Sequence, residues 1–144
     1  MHLRPLLHLL EQHAEALVGA WREAVGRSPQ TGCLHPAAAG ALAQRLGAVY
    51  AQLADELGRG ADPACAAAWW ALGAAQRRAG VPVATLVHAL TLARALLVRW
   101  VRRNDLVDTV FEADERDEAI GLIDGYFDAA LYRAVSGWEE GAAA

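Results

Sequence analysis

Gln76-Arg77-Arg78-Ala79-Gly80-Val81-Pro82 is the stretch that organises this chain. Glycine readily takes the left-handed turn that closes a helix, and a proline just beyond it cannot continue the old helix but is suited to opening a new one. One helix is therefore predicted to end at Gly80 and another to begin near Pro82. Downstream, Leu86, Leu90, Ala93, Leu97 and Val101 recur at three-and-four spacing, the apolar stripe of a helix that runs to Arg103. A second, partly apolar stripe carries Leu92, Leu96 and Arg99, so this helix asks for burial on two sides, inside a bundle or against another subunit.

Working upstream, Asp62-Pro63 is an N-cap followed by a proline at the first helical position, and the helix it starts carries Trp69, Trp70, Leu72 and Ala75. Leu7, Leu10, Ala14, Leu17, Val18, Trp21 and Val25 predict one helix before it, stopped by Gly26 and Ser28-Pro29. A loop over Gln30–Pro36 leads to another, with Leu42, Leu46, Val49, Leu53 and Leu57, ending at Gly58-Arg59-Gly60. Downstream of Arg103-Asn104-Asp105 an acidic connector, Asp108 to Glu118, precedes a last helix. That helix has Ile120, Ile123, Phe127, Leu131, Val135 and Trp138 on one stripe and Leu122, Tyr126 and Ala130 on its neighbour. The expectation is an all-α single domain of about five main helices over residues 1–140, with 141–144 a disordered tail or linker stump.

Composition narrows the functional classes. At 144 residues the chain holds one proper core, and 55% hydrophobic against 21% charged residues, rich in alanine, favours helix throughout. A net charge of −4 argues against a general polyanion binder, so no nucleic-acid partner is expected. His8, Glu11 and His13 interrupt the opening leucines before a signal-peptide core is complete. Val81–Val101 contains His88, Arg94 and Arg99 and falls short of a clean membrane span. A soluble, cytoplasmic protein without a membrane partner is expected, with Cys33 and Cys65 as separate reduced thiols.

The candidate chemical groups are few. His8 and His13 are five apart, off the three-or-four spacing of a helical metal pair, and no Glu-x-x-His occurs; neither metal nor cofactor is expected. Glu112, Asp114, Glu115, Asp117 and Glu118 lack the alternation of a calcium loop and suit the start of a helix, where negative charge favours the helix dipole. Residues 74–86, with Gly80 in a turn and Thr85 in the next helix, are similar to a helix-turn-helix, but a DNA-reading helix needs polar residues where this one has Val83, Ala84, Leu86 and Val87. Ser28 and Ser136 lack a glycine elbow, so no enzyme is predicted. His88, Trp69 and Trp21 remain as the residues that could wall a small-molecule pocket between alanine-rich helices.

The opening Leu6-Leu7 and Leu9-Leu10 with Trp21-Arg22-Glu23-Ala24, the Arg78-x-Gly80 start of a long helix with Ala93-Arg94, and the closing amphipathic helix together resemble the N-terminal sensor domain of RsbR-type stressosome proteins. That resemblance implies a globin-like fold that binds no haem, in a signalling input module that dimerises through its last two helices and acts on an output domain or partner protein. Leu92, Leu96, Arg99, Leu122, Tyr126 and Ala130 are the residues expected at such a dimer interface. In related haem-bearing sensors the iron-binding histidine sits four residues before the glycine of this junction; here that position is Gln76, which is no ordinary haem ligand. A haem- or small-ligand-binding globin-like sensor is the alternative reading, and a helix-turn-helix regulator the second.

Overall fold

Gly80 closes a helix in the way its position predicts. It has φ 83, the Gly80 N–H bonds the Arg77 carbonyl, and the Val81 N–H reaches back to the Gln76 carbonyl, the paired bonds of a Schellman cap. The computed structural model describes residues 3–32, 34–59, 62–103 and 113–141. Among them the regular structure is helical: α1 (Arg4–Glu11), α2 (Ala14–Arg27), α3 (Pro36–Ala51), α4 (Leu53–Gly58), α5 (Pro63–Arg78), α6 (Val83–Arg102) and α7 (Ala113–Glu140), with a 3₁₀ turn at Pro29–Thr31. Cys33, the Asn104-Asp105 loop, residues 108–112 of the acidic connector and the tail from 142 lie outside the described residues.

Among the described residues seven helices stand where the sequence predicted five. Two of the predicted helices are each broken once, and in both the apolar stripe crosses the break intact. Leu7 and Leu10 of α1 and Leu17 and Trp21 of α2 are all buried on either side of Gln12-His13. Val49 of α3 and Leu53 of α4 are likewise both buried on either side of Gln52, whose φ of −129 and ψ of 42 turn the chain. Periodicity reports which face is apolar, and a short break that preserves the face is invisible to it. The acidic residues from Asp114 onward, expected in the connector, lie at the start of α7, with Asp114 and Glu115 in its first turn.

Capping residues fix the remaining boundaries. The Asp62 carboxylate accepts the Ala64 N–H at 2.8 Å and opens α5 as its sequence predicts. At α3 the cap is His35, whose Nδ1 accepts from the Ala38 N–H at 3.3 Å while Nε2 bonds the Ala79 carbonyl at 3.0 Å. One imidazole thereby ties the start of α3 to the end of α5.

α6 runs through the middle of the packing, against α2 on one side and α7 on the other. Two aromatic side chains grip successive turns of its backbone: Trp21 Nε1 donates to the Ala89 carbonyl at 2.9 Å and the Tyr50 hydroxyl to the Ala93 carbonyl at 3.1 Å. By length and composition α6 is the one helix among the described residues apolar enough to cross a membrane, and Leu86, Leu90, Leu97 and Val101 place its apolar stripe in the core.

α5 and α7 approach each other closely. A Cβ at Gly73 would overlap the Ala134 carbonyl, and a Cβ at Gly137 would overlap the Trp70 carbonyl, so backbone rests on backbone at both points. Beside that crossing the last turn of α7 is bolted down. Trp138 Nε1 donates to the Val81 carbonyl at 2.8 Å, and Arg77 lies 4.1 Å above the Trp138 ring and donates to its carbonyl. Trp70 Nε1 adds a 2.7 Å bond to the Glu140 carboxylate. The end of α7 therefore lies against the junction where α5 gives way to α6.

Glycine to alanine normally favours a helix by about 1 kcal/mol, so the crossing should invert the sign. Gly73→Ala should lower unfolding free energy by about 1–3 kcal/mol or more through overpacking against immovable backbone. Gly19→Ala, on exposed α2 with no neighbour in reach, should raise it by up to about 1 kcal/mol. Urea midpoints of the two variants, read by circular dichroism, test the difference.

Candidate functional site

Among the described residues, a group of chemically capable side chains lies where α4 meets α5 and α7. Glu56 is predicted by no motif, yet it sits 7% exposed on the six-residue α4 and accepts the Tyr126 hydroxyl at 2.8 Å. The Tyr126 oxygen in turn accepts from Trp69 Nε1 at 3.0 Å. The Cys65 thiol lies 3.7 Å from both the Glu56 carboxylate and the Tyr126 oxygen. Arg45 from α3 supplies the balancing charge, 3.7 Å from the same carboxylate oxygen and stacked 5.0 Å over the Trp69 ring. Five residues from four helices thus share one buried polar centre. A lone buried carboxylate would be costly; this one has a cation and two donors.

Electrostatics follow from the burial. Loss of solvent pushes the Tyr126 phenol far above its ordinary value, the Trp69 donor pulls the other way, and the Glu56 hydrogen bond and negative charge add to the rise. Burial alone does the same to Tyr50. Cys65, Trp69, Tyr126 and the Arg133 stem also border a cavity of about 10 Å³, room for a water molecule and nothing larger. The arrangement joins helices; it offers no space for an organic substrate beside the thiol or the carboxylate.

Each of the three residues expected to wall a pocket has its own setting among the described residues. Trp69 belongs to the polar centre, Trp21 is fully buried with its indole N–H on α6, and half-buried His88 is bonded through Nε2 to Ser28 Oγ at 2.9 Å. The Ser28 hydroxyl donates to Gln30 Oε1, so it accepts from His88. No cavity described holds any two of His88, Trp69 and Trp21. Gln76 is 1% exposed and donates to the Ala38 carbonyl at 3.1 Å. Thr85, which a DNA-reading helix would present outward, is buried and donates to the Gln30 carbonyl. Among the described residues no three histidine, cysteine, aspartate or glutamate side chains assemble to hold a metal.

The residues expected at a dimer interface divide. Leu96, Tyr126 and Ala130 are buried within the subunit, where α6 packs on α2 and where Glu56 of α4 and Trp69 of α5 meet Tyr126 of α7. Leu92 is half-buried against the core, leaving Arg99 and the 38% exposed Leu122 open to solvent. Of the six residues on the second stripes, Leu96, Tyr126 and Ala130 are covered by the subunit's own helices.

Removing the Tyr126 hydroxyl would strip Glu56 of its shortest donor and leave the Trp69 N–H without an acceptor. Tyr126→Phe should therefore cost about 1–3 kcal/mol in denaturant unfolding. The raised phenols carry a pH signature as well. Their folded-state values lie above the unfolded one, so the stability they contribute is intact below pH about 10 and lost as pH rises beyond it. Phenolate absorbance followed on raising the pH should show Tyr50 and Tyr126 ionising only as the protein unfolds.

No protein-family model, curated protein or solved structure matches this chain.

Proposed function

We propose that the chain is a bacterial, cytoplasmic signalling input domain, non-enzymatic and haem-free, with a globin-like helix arrangement, that associates as a homodimer and passes its state to an output domain or partner protein. The observation that carries this reading is the bolt between the α5–α6 junction and the end of α7: Trp138 on the Val81 carbonyl, with Arg77 against the Trp138 ring and carbonyl. A change in how α5 meets α6 is mechanically a change in the exit direction of a 28-residue helix. A ligand or partner acts on such a device by favouring one packing of α6 against the locked α5–α7 pair over another.

Two further features support the reading. Gln76, at the position of the haem-binding histidine in the sensors this chain resembles, is buried with its amide committed to α3. Exposed small residues stand on both helices, Ala95 on α6 and Gly121 and Gly125 on α7, and Arg94 links the two helices through Asp128 at 3.1 Å. Small side chains let another helix approach closely.

Light scattering of the purified chain should return twice the 15.4 kDa subunit mass. Ala95→Arg, on the exposed face where no core contact is lost, should shift it to the single-subunit mass with unchanged helicity. A single-subunit mass for the unmodified chain at all concentrations overturns the dimer, and a Soret band after incubation with haemin overturns the haem-free assignment.

A further inference from the structure

The carboxyl-terminal end of α6 holds three arginines, Arg99, Arg102 and Arg103, around a surface groove of about 390 Å³ floored by Ala95 and Val98. None of them pairs with a carboxylate among the described residues, whereas Arg94 one turn earlier is engaged with Asp124 and Asp128. In a chain of net charge −4 this is a local concentration of positive charge over an apolar floor. Its chemistry fits an acidic helix that presents small or apolar residues beside its carboxylates.

The chain contains such a helix. Asp114, Asp117, Gly121 and Gly125 follow one another at three-and-four spacing along an exposed stripe of α7, acids first and small residues behind. Trp138 bonded to Val81 sets the end of α7 beside the start of α6, so the two helices run antiparallel and the arginines and these acids lie at the same end of the hairpin. Even so, Asp114 and Asp117 are exposed and make no ion pair with Arg99, Arg102 or Arg103 among the described residues of their own subunit.

We propose that the groove receives the first turn of α7 from a second copy of the chain. Arg102 and Arg103 then face the partner's Asp114 and Asp117, and the two-fold relation repeats the contact. Acids and arginines meet only if both hairpins point the same way, which would send both α7 helices out on one side. This inference rests on the dimer reading and adds to it the orientation of the subunits and the contact that selects it. Charge pairs of this kind contribute more to partner choice and register than to bulk affinity.

The test is a charge swap. Arg102→Glu with Arg103→Glu, and separately Asp114→Arg with Asp117→Arg, each set like charges against each other and should weaken self-association about tenfold or more. Mixed in equal amounts the two variants have opposite charges at both copies of the contact, and mass photometry should show the dimer restored. The unmodified dimer should dissociate as salt is raised. Variants that remain dimeric alone, or that stay monomeric when mixed while keeping native helicity, overturn the proposal and leave the dimer itself standing. If the arginine variant keeps the dimer mass but loses stabilisation by inorganic phosphate, the groove is an anion site and the proposal fails. A monomeric unmodified chain removes the dimer reading and this inference together.

Discussion

Two helices touching through their backbones set the shape of this molecule. At Gly73 and Gly137 neither α5 nor α7 has room for a single carbon, and the facing carbonyls of Ala134 and Trp70 fill the space where it would go. Contact at that distance fixes separation, rotation and axial position at once, because no side chain can yield. Trp69, four residues before Gly73, is thereby brought onto Tyr126 of α7, and Trp138, next to Gly137, onto the α5–α6 junction. The polar centre at one end of α5 and the bolt at the other are both consequences of one crossing.

What surrounds the crossing is less demanding. α1, α2, α3 and α4 present leucine, valine and alanine to the core, where volume matters more than identity. They are held by a few directed bonds: Trp21 and Tyr50 on the α6 backbone, His35 between α3 and α5, and the Glu11 carboxylate on the Ala54 N–H at 2.9 Å. Glu56 brings the short α4 into the polar centre and so links the amino-terminal half to α7. The exposed positions of α6 and α7 are mostly small or charged, among them Ala95, Arg99, Gly121, Gly125 and Asp128, with Leu122 a large apolar exception.

Helix positions were legible where they depend on punctuation that acts locally. Gly80 and Pro82, and Asp62 with Pro63, each work through their own φ angle or side-chain acceptor, and the helices they bound stand where the sequence places them. The breaks at Gln12-His13 and Gln52 leave no such mark, since their apolar spacing continues. Long-range pairings were the other loss. Glu56 reads as one more helix-surface acid until Tyr126, seventy residues away, is known to meet it, and His35 reads as a loop residue until Ala79 is seen above it. The site residues chosen by residue type, Trp21, Trp69 and His88, are buried or half-buried as their apolar settings imply, yet they face three different partners. Aromatic identity says that a ring will be buried and not what it will meet.

Native-state hydrogen exchange measures the central claim most directly. If the glycine crossing is the fixed point, amides of α5 from Gly73 to Arg77 and of α7 from Ala134 to Trp138 exchange only through global unfolding, while those of α1 and α4 open at lower free energy. Local opening of the last turns of α7, with α1 and α4 still protected, would contradict it.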